Sequence, residues 1–134
     1  MTIDSDKFLH TEKVYSLLKK SSTKQDLRYF LAILNSKLMW FFIKNTGDVL
    51  RGGYFTFKTQ YITPFSIPLP SKDIEKNLIE LVNEIFRQKN NSLVKQKNAD
   101  NMIDIDTVES KIDELVYKLY NITEEEKKII ESSL

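Results

Sequence analysis

The chain has 134 residues, 41% of them hydrophobic and 29% charged, ordinary proportions for one soluble domain with a modest appendage. Twenty basic and nineteen acidic residues leave a net charge of +1, which excludes a uniformly basic nucleic-acid binder but not a local patch. Cysteine is absent, so disulfides, thiolate catalysis and cysteine zinc sites are excluded, and the single histidine, His10, lacks companions for a zinc site or a serine triad.

The first six residues are polar and acidic, unlike a signal peptide. Phe8 to Leu18 ends in Val14-Tyr15-Ser16-Leu17-Leu18, a short strand candidate, and Lys19 to Lys24 reads as a turn. Thr23 followed by Asp26 resembles a capping box, which predicts one helix from about Lys24 to Lys44. Leu27, Phe30, Leu31, Leu34, Leu38, Phe41 and Phe42 recur at spacings of three and four, and Ile33, Met39 and Trp40 widen the face. This helix is expected at the centre of the core. Arg28, Asn35, Ser36 and Lys37 interrupt its apolar run, so it does not read as a membrane span.

Gly47 is placed for a left-handed cap after that helix. Gly52-Gly53 then leads into Tyr54-Phe55-Thr56-Phe57-Lys58, whose alternation puts Phe55 and Phe57 on one face and Tyr54, Thr56 and Lys58 on the other. Thr59-Gln60 turns the chain in this reading, and Tyr61 to Thr63 begins another extended stretch. Pro64, Pro68 and Pro70 keep it extended while denying it a central sheet position.

Beyond Pro70 the pattern becomes helical. Ser71 is a fair N-cap for a stripe of Ile74, Leu78, Leu81, Val82, Ile85 and Phe86, which thins from Arg87 to Asp100 to leave only Leu93 and Val94 apolar. A third helix fits Asp106 to Tyr120 through Val108, Ile112, Leu115, Val116 and Leu119, with Asn121 as its stop. Thr123 caps a last short helix that carries three acids at its positive end and Ile129 and Ile130 as apolar contacts.

Charge is unevenly spread. Residues 35–70 carry Lys37, Lys44, Arg51 and Lys58 against Asp48 alone, a net of +3, whereas residues 107–134 carry four lysines and seven acids, a net of −3. No phosphate loop is present, because Arg51-Gly52-Gly53 lacks a lysine-serine signature and leads into a strand. Asp104, Asp106 and Glu109 lack the glycine and the spacing of a calcium loop. The informative segment runs from Lys44 to Gln60. Lys44, Arg51 and Lys58 suit phosphates, Asn45, Thr56 and Gln60 suit base edges, and Tyr54 suits stacking or packing. A solvated hairpin with ordinary charges would look similar.

Two stretches go further. Phe30-Leu31-Ala32-Ile33-Leu34-Asn35-Ser36-Lys37-Leu38, then Arg51 to Phe57, then Thr63-Pro64-Phe65-Ser66-Ile67-Pro68-Leu69-Pro70 follow one another in an order that resembles the TaqI-like C-terminal specificity domain of type IIG restriction-modification enzymes. Ile112 to Glu126 resembles the helical closing segment of the same adenine-specific DNA methyltransferases. The resemblance implies target recognition: the domain clamps duplex DNA while a separate methyltransferase or nuclease domain does the chemistry with S-adenosylmethionine. The glycine-rich donor motif and the Asn-Pro-Pro-Tyr type motif of that catalytic domain are absent from these 134 residues. The resemblance starts mid-domain, so the first half of the recognition domain is expected to lie elsewhere.

The expected fold is therefore α+β. Residues 1–70 would form a partial recognition domain with a strand, a buried helix and a hairpin. Residues 71–134 would form an antiparallel helical pair with a short terminal helix. The expected chain is non-catalytic and cytoplasmic, with duplex DNA and the parent's catalytic domain as partners, self-association through its helices left open, and no cofactor or metal of its own. The rival expectation is a helical spacer, like that of a type I specificity subunit, which pairs with a partner chain and leaves DNA contact to it.

Overall fold

The structure, a computed structural model, describes residues 1–6, 14–93 and 104–134, and the side chains of all of these except 91–93. His10 and Val94, singled out above, lie outside the described residues, as does the side chain of Leu93.

Six helices order the described residues: α1 (Leu27–Leu34), α2 (Lys37–Thr46), α3 (Thr59–Ile62), α4 (Lys72–Leu93), α5 (Ile105–Leu119) and α6 (Glu124–Ser132). The expected α+β class is wrong. The only β pairing among the described residues is an isolated antiparallel bridge between Val49 and Phe55. Residues 14–20 lie outside any helix or strand, and Tyr61 and Ile62 belong to the helical turn α3 rather than to an extended stretch. The strand-like side chains Val14, Tyr15, Leu17 and Leu18 are exposed rather than packed on a neighbouring strand.

The long helix expected over residues 24–44 is two. Asn35 closes α1 with its backbone N–H on Leu31 and Ile33 carbonyls, and Ser36 opens α2 by accepting the Met39 N–H (3.3 Å). The start is also three residues later than Thr23 suggested. Asp26 is the N-cap of α1, its carboxylate accepting the Arg28 N–H at 2.8 Å. The break resets the helical phase, so the buried face is Tyr29, Ala32 and Ile33 on α1 and Leu38, Met39 and Ile43 on α2, while Leu27 is largely exposed.

Gly47 ends α2 without a left-handed turn. Its φ is −88°, and a Cβ there would lie 2.8 Å from the Ile43 carbonyl oxygen, so the residue is small because the chain passes close to the last turn. Farther along, the helix signals act as expected. The Ser71 hydroxyl accepts the Ile74 N–H at 3.3 Å. Asp104 caps α5. Asn121, at φ 54°, completes a Schellman stop with bonds from Asn121 to Lys118 and from Ile122 to Tyr117. Thr123 and Glu126 form a reciprocal capping box on α6.

One core joins both ends of the chain. Tyr29, Ala32, Ile33 and Leu38 pack with Leu78 and Val82 of α4, with Ile112, Val116 and Tyr117 of α5 and with Ile130 of α6. α4 packs against α5 and α1, and α2 against α5 and α6. Polar ties reinforce α1 on α4: the Asp26 N–H donates to Glu75 (3.1 Å), and the Arg28 guanidinium donates to Asn83 (2.9 Å) while forking onto Asp26.

Candidate nucleic-acid interface

The segment between α2 and α4 is held in place from below. Trp40 on α2 meets the Phe55 ring edge-on at 5.4 Å and stacks on Phe57 at 6.3 Å, so the alternating aromatic face seen in the sequence is the face that packs. Asp48 is a second anchor. It accepts the Tyr61 hydroxyl and pairs with the Lys58 ammonium (3.9 Å). The hydrogen bond to Asp48 is the main cause holding the Tyr61 hydroxyl above its ordinary pKa.

Above these anchors the chain reverses tightly. The Gly53 N–H donates to the Leu50 carbonyl (3.0 Å), and the Leu50 N–H donates to the Tyr54 carbonyl (2.6 Å). Gly52 and Gly53 have φ of 92° and 80°, left-handed values that a side chain would resist. The tip formed by Leu50, Arg51, Gly52, Gly53 and Tyr54 is exposed, with Tyr54 at 73%.

The seven residues singled out in this segment do not share one disposition. Arg51 and Tyr54 project from the tip, and Arg51 has no hydrogen bond or ion pair among the described residues. Lys58 sits lower, in its pair with Asp48. Lys44 is exposed near the end of α2 and donates to the Ser133 carbonyl after α6, while the Asn45 side-chain amide donates to the Phe41 carbonyl of its own helix (2.7 Å). Thr56 is partly buried, and its hydroxyl oxygen is buried without a hydrogen-bond partner among the described residues. Gln60 is exposed on α3, beside Tyr61. Sequence reasoning passed over Val49, just before the tip, and Leu50 within it, which are 64% and 48% exposed. The signal available for them was two apolar residues in a row beside Arg51-Gly52-Gly53, outside any helical stripe.

Behind the hairpin, the proline-rich segment is tied to the helices by tyrosine hydroxyls. Tyr29 Oη donates to the Pro68 carbonyl and Tyr120 Oη to the Ser66 carbonyl, each at 2.8 Å. Phe65 lies between the Phe42 and Tyr120 rings, with centroids 5.0 and 5.6 Å away. Burial pushes the Tyr29 phenol up to about 12, and partial burial together with the nearby Tyr29 raises that of Tyr120 as well. Both hydroxyls therefore stay protonated, as donors to a carbonyl must. Among the described residues no cluster of His, Cys, Asp or Glu could hold a metal, and no helix is long and apolar enough to cross a membrane.

A helical scaffold that fixes the base of a short, exposed hairpin is suited to presenting a recognition surface. The chain belongs to the TaqI-like C-terminal specificity domain family, whose model matches residues 1–69. That match takes in α1, α2, the hairpin and most of the proline-rich segment, and carries with it a target-recognition role in restriction-modification enzymes. It stops before α4, so the likeness of Ile112 to Glu126 to a closing segment lies outside it. No curated protein and no solved structure matches the chain significantly.

Proposed function

We propose that this chain binds duplex DNA through the hairpin between α2 and α3 as the recognition part of a type IIG restriction-modification enzyme. The observation that carries the reading is the family membership of the segment that builds and anchors the hairpin. Arg51 and Tyr54 support it by their exposure at the tip. Lys44 and Lys58 would reach phosphates by exchanging the contacts they make to the Ser133 carbonyl and Asp48. Asn45, Thr56 and Gln60 would lie nearer bases or sugar, and Thr56 would have to turn outward. Methyl transfer, with S-adenosylmethionine as donor, would belong to a separate catalytic domain of the parent enzyme.

The spacer reading gains less support. It calls for apolar side chains left over between Ile74 and Val94, yet among the described side chains of that stretch, which reach residue 90, none is an exposed large hydrophobic. Ile74, Leu78, Leu81, Val82, Ile85 and Phe86 all pack into the core.

Titration of wild type and a Lys44→Ala, Arg51→Ala, Lys58→Ala triple variant against mixed-sequence duplex tests the proposal. Three phosphate contacts give a slope of about −3 in log affinity against log salt, with affinity of roughly micromolar or weaker. Equal affinities in a folded triple variant would move DNA contact away from the hairpin.

A further inference from the structure

We infer that α6 is a built-in competitor for DNA: it occupies the two lysines of α2 that flank Trp40 and yields them to phosphates when duplex binds. This rests on the DNA-binding reading and adds to it a control and a further contact residue, Lys37.

The fold brings the two charged stretches of the sequence together. The basic stretch 35–70 meets the acidic stretch 107–134 where α2 packs on α5 and α6. Lys37 and Lys44 are the cations of α2 and stand two turns apart. Trp40 lies between them at spacings of three and four, so the three residues share one face of the helix. Trp40 carries Phe55 and Phe57, which puts the two ammonium groups beside the base of the hairpin. Both are engaged from the C-terminal helices. Lys37 Nζ pairs with Glu131 of α6 at 3.5 Å and stands 3.9 Å from Asp113 of α5. Lys44 donates to the Ser133 carbonyl just beyond α6.

These contacts are of a kind that exchanges. The Lys37 and Glu131 side chains are 42% and 41% exposed, and an ion pair so exposed is weak beside a row of phosphates. The body of α6 is held more firmly. Ile130 is buried in the shared core, the capping box closes the first turn, and Lys127 pairs with Glu114 of α5. The helix therefore stays docked while its outer contacts open. Asp113 already faces Lys37 from α5, so Glu131 is a second carboxylate there. Its effect is to lower the positive potential of the face that a polyanion would meet.

The experiment titrates the full chain with a mixed-sequence duplex at low salt, comparing wild type, Glu131→Gln and Glu125→Gln. Glu125 is an exposed acid of the same helix with no ion pair among the described residues, so its replacement makes the same change in net charge without freeing a lysine. Glu131→Gln is expected to tighten binding about two- to fivefold, the amount that an exposed pair can withhold. Glu125→Gln is expected to tighten it clearly less. Lys37→Ala, made in wild type and in Glu131→Gln, separates competition from bulk charge. It is expected to cost less affinity in wild type, where reaching a phosphate means leaving Glu131, than in Glu131→Gln, where that pair is already gone. All three positions are exposed, and circular dichroism melts check that each variant folds. Equal tightening by Glu131→Gln and Glu125→Gln, or an equal cost of Lys37→Ala in both backgrounds, overturns the competition and leaves the DNA reading standing. No binding of the duplex by wild type overturns both.

Discussion

The carboxylate of Asp113, on α5, accepts the backbone N–H of Lys37, the first residue of α2, at 2.8 Å. A side chain 76 positions away thus satisfies one of the donors that a helix start leaves open, beside the local cap from Ser36. Asp113 is only 6% exposed, and the Lys37 ammonium stands 3.9 Å from its other oxygen. Burial raises its pKa above the ordinary value, with the Lys37 N–H and charge pulling the other way and Glu109 and Glu131 adding to the rise.

The sign of the resulting pH dependence follows. Between its ordinary and its raised pKa, Asp113 holds a proton in the folded state that the unfolded chain has released. Its contribution is therefore fully present at low pH and is lost as pH rises through the folded value. Urea melts of wild type and Asp113→Asn from about pH 3 to about pH 7 should show wild type losing ground relative to the variant as pH rises. Asp113→Ala should cost about 1–3 kcal/mol, since it leaves the partly buried Lys37 N–H without its acceptor. Parallel pH profiles for wild type and Asp113→Asn would show that ionisation there has no energetic consequence.

Leu78 tests the union of the two ends of the chain. It is fully buried on α4, in the cluster that joins α1 and α2 to α5 and α6. Leu78→Ala should cost about 2–5 kcal/mol, lowering the midpoint of one cooperative transition for the whole molecule. Two separate transitions, with only the later one shifted, would show that the shared core does not couple the halves.

Much of this was legible where the chemistry is local. Ser71, Asn121 and Thr123 were assigned their helix-end roles from residue type and spacing, and each performs that role. The α4 and α5 stripes also packed as the periodicity required. The misses have a common cause. Asn35-Ser36 was read as a polar interruption in one long helix, because a tertiary acceptor such as Asp113 cannot be seen from neighbouring residues. Gly47 was read for its handedness, whereas its role is to pass the Ile43 carbonyl. Alternation correctly paired Phe55 with Phe57 but suggested a strand, and the surface they meet is Trp40 of a helix. For the interface, residue types identified the segment. Which cations project freely depended on Asp48 and Ser133 lying beside Lys58 and Lys44, a matter of tertiary placement.

Tyr29 and Tyr120 provide the last test, because they tie the proline-rich segment to two different helices. Pro64, Pro68 and Pro70 deny this segment three backbone donors, so its carbonyls depend on partners outside it. Removing one hydroxyl leaves the Pro68 or the Ser66 carbonyl without its donor, while the ring packing with Phe30 or Phe65 is retained. Tyr29→Phe should cost about 1–2 kcal/mol, since Tyr29 is fully buried and water cannot easily replace it. Tyr120→Phe should cost less, about 0.5–1 kcal/mol, because its bond to Ser66 is exposed and water can substitute there. The double variant should depart from additivity, since the two hydroxyls hold carbonyls two residues apart on one segment. Hydrogen exchange should locate the effect, with faster exchange at Phe65 and Ile67 and little change on α6. Unchanged melting for both single variants would mean that aromatic packing alone, Phe65 between Phe42 and Tyr120, fixes the segment.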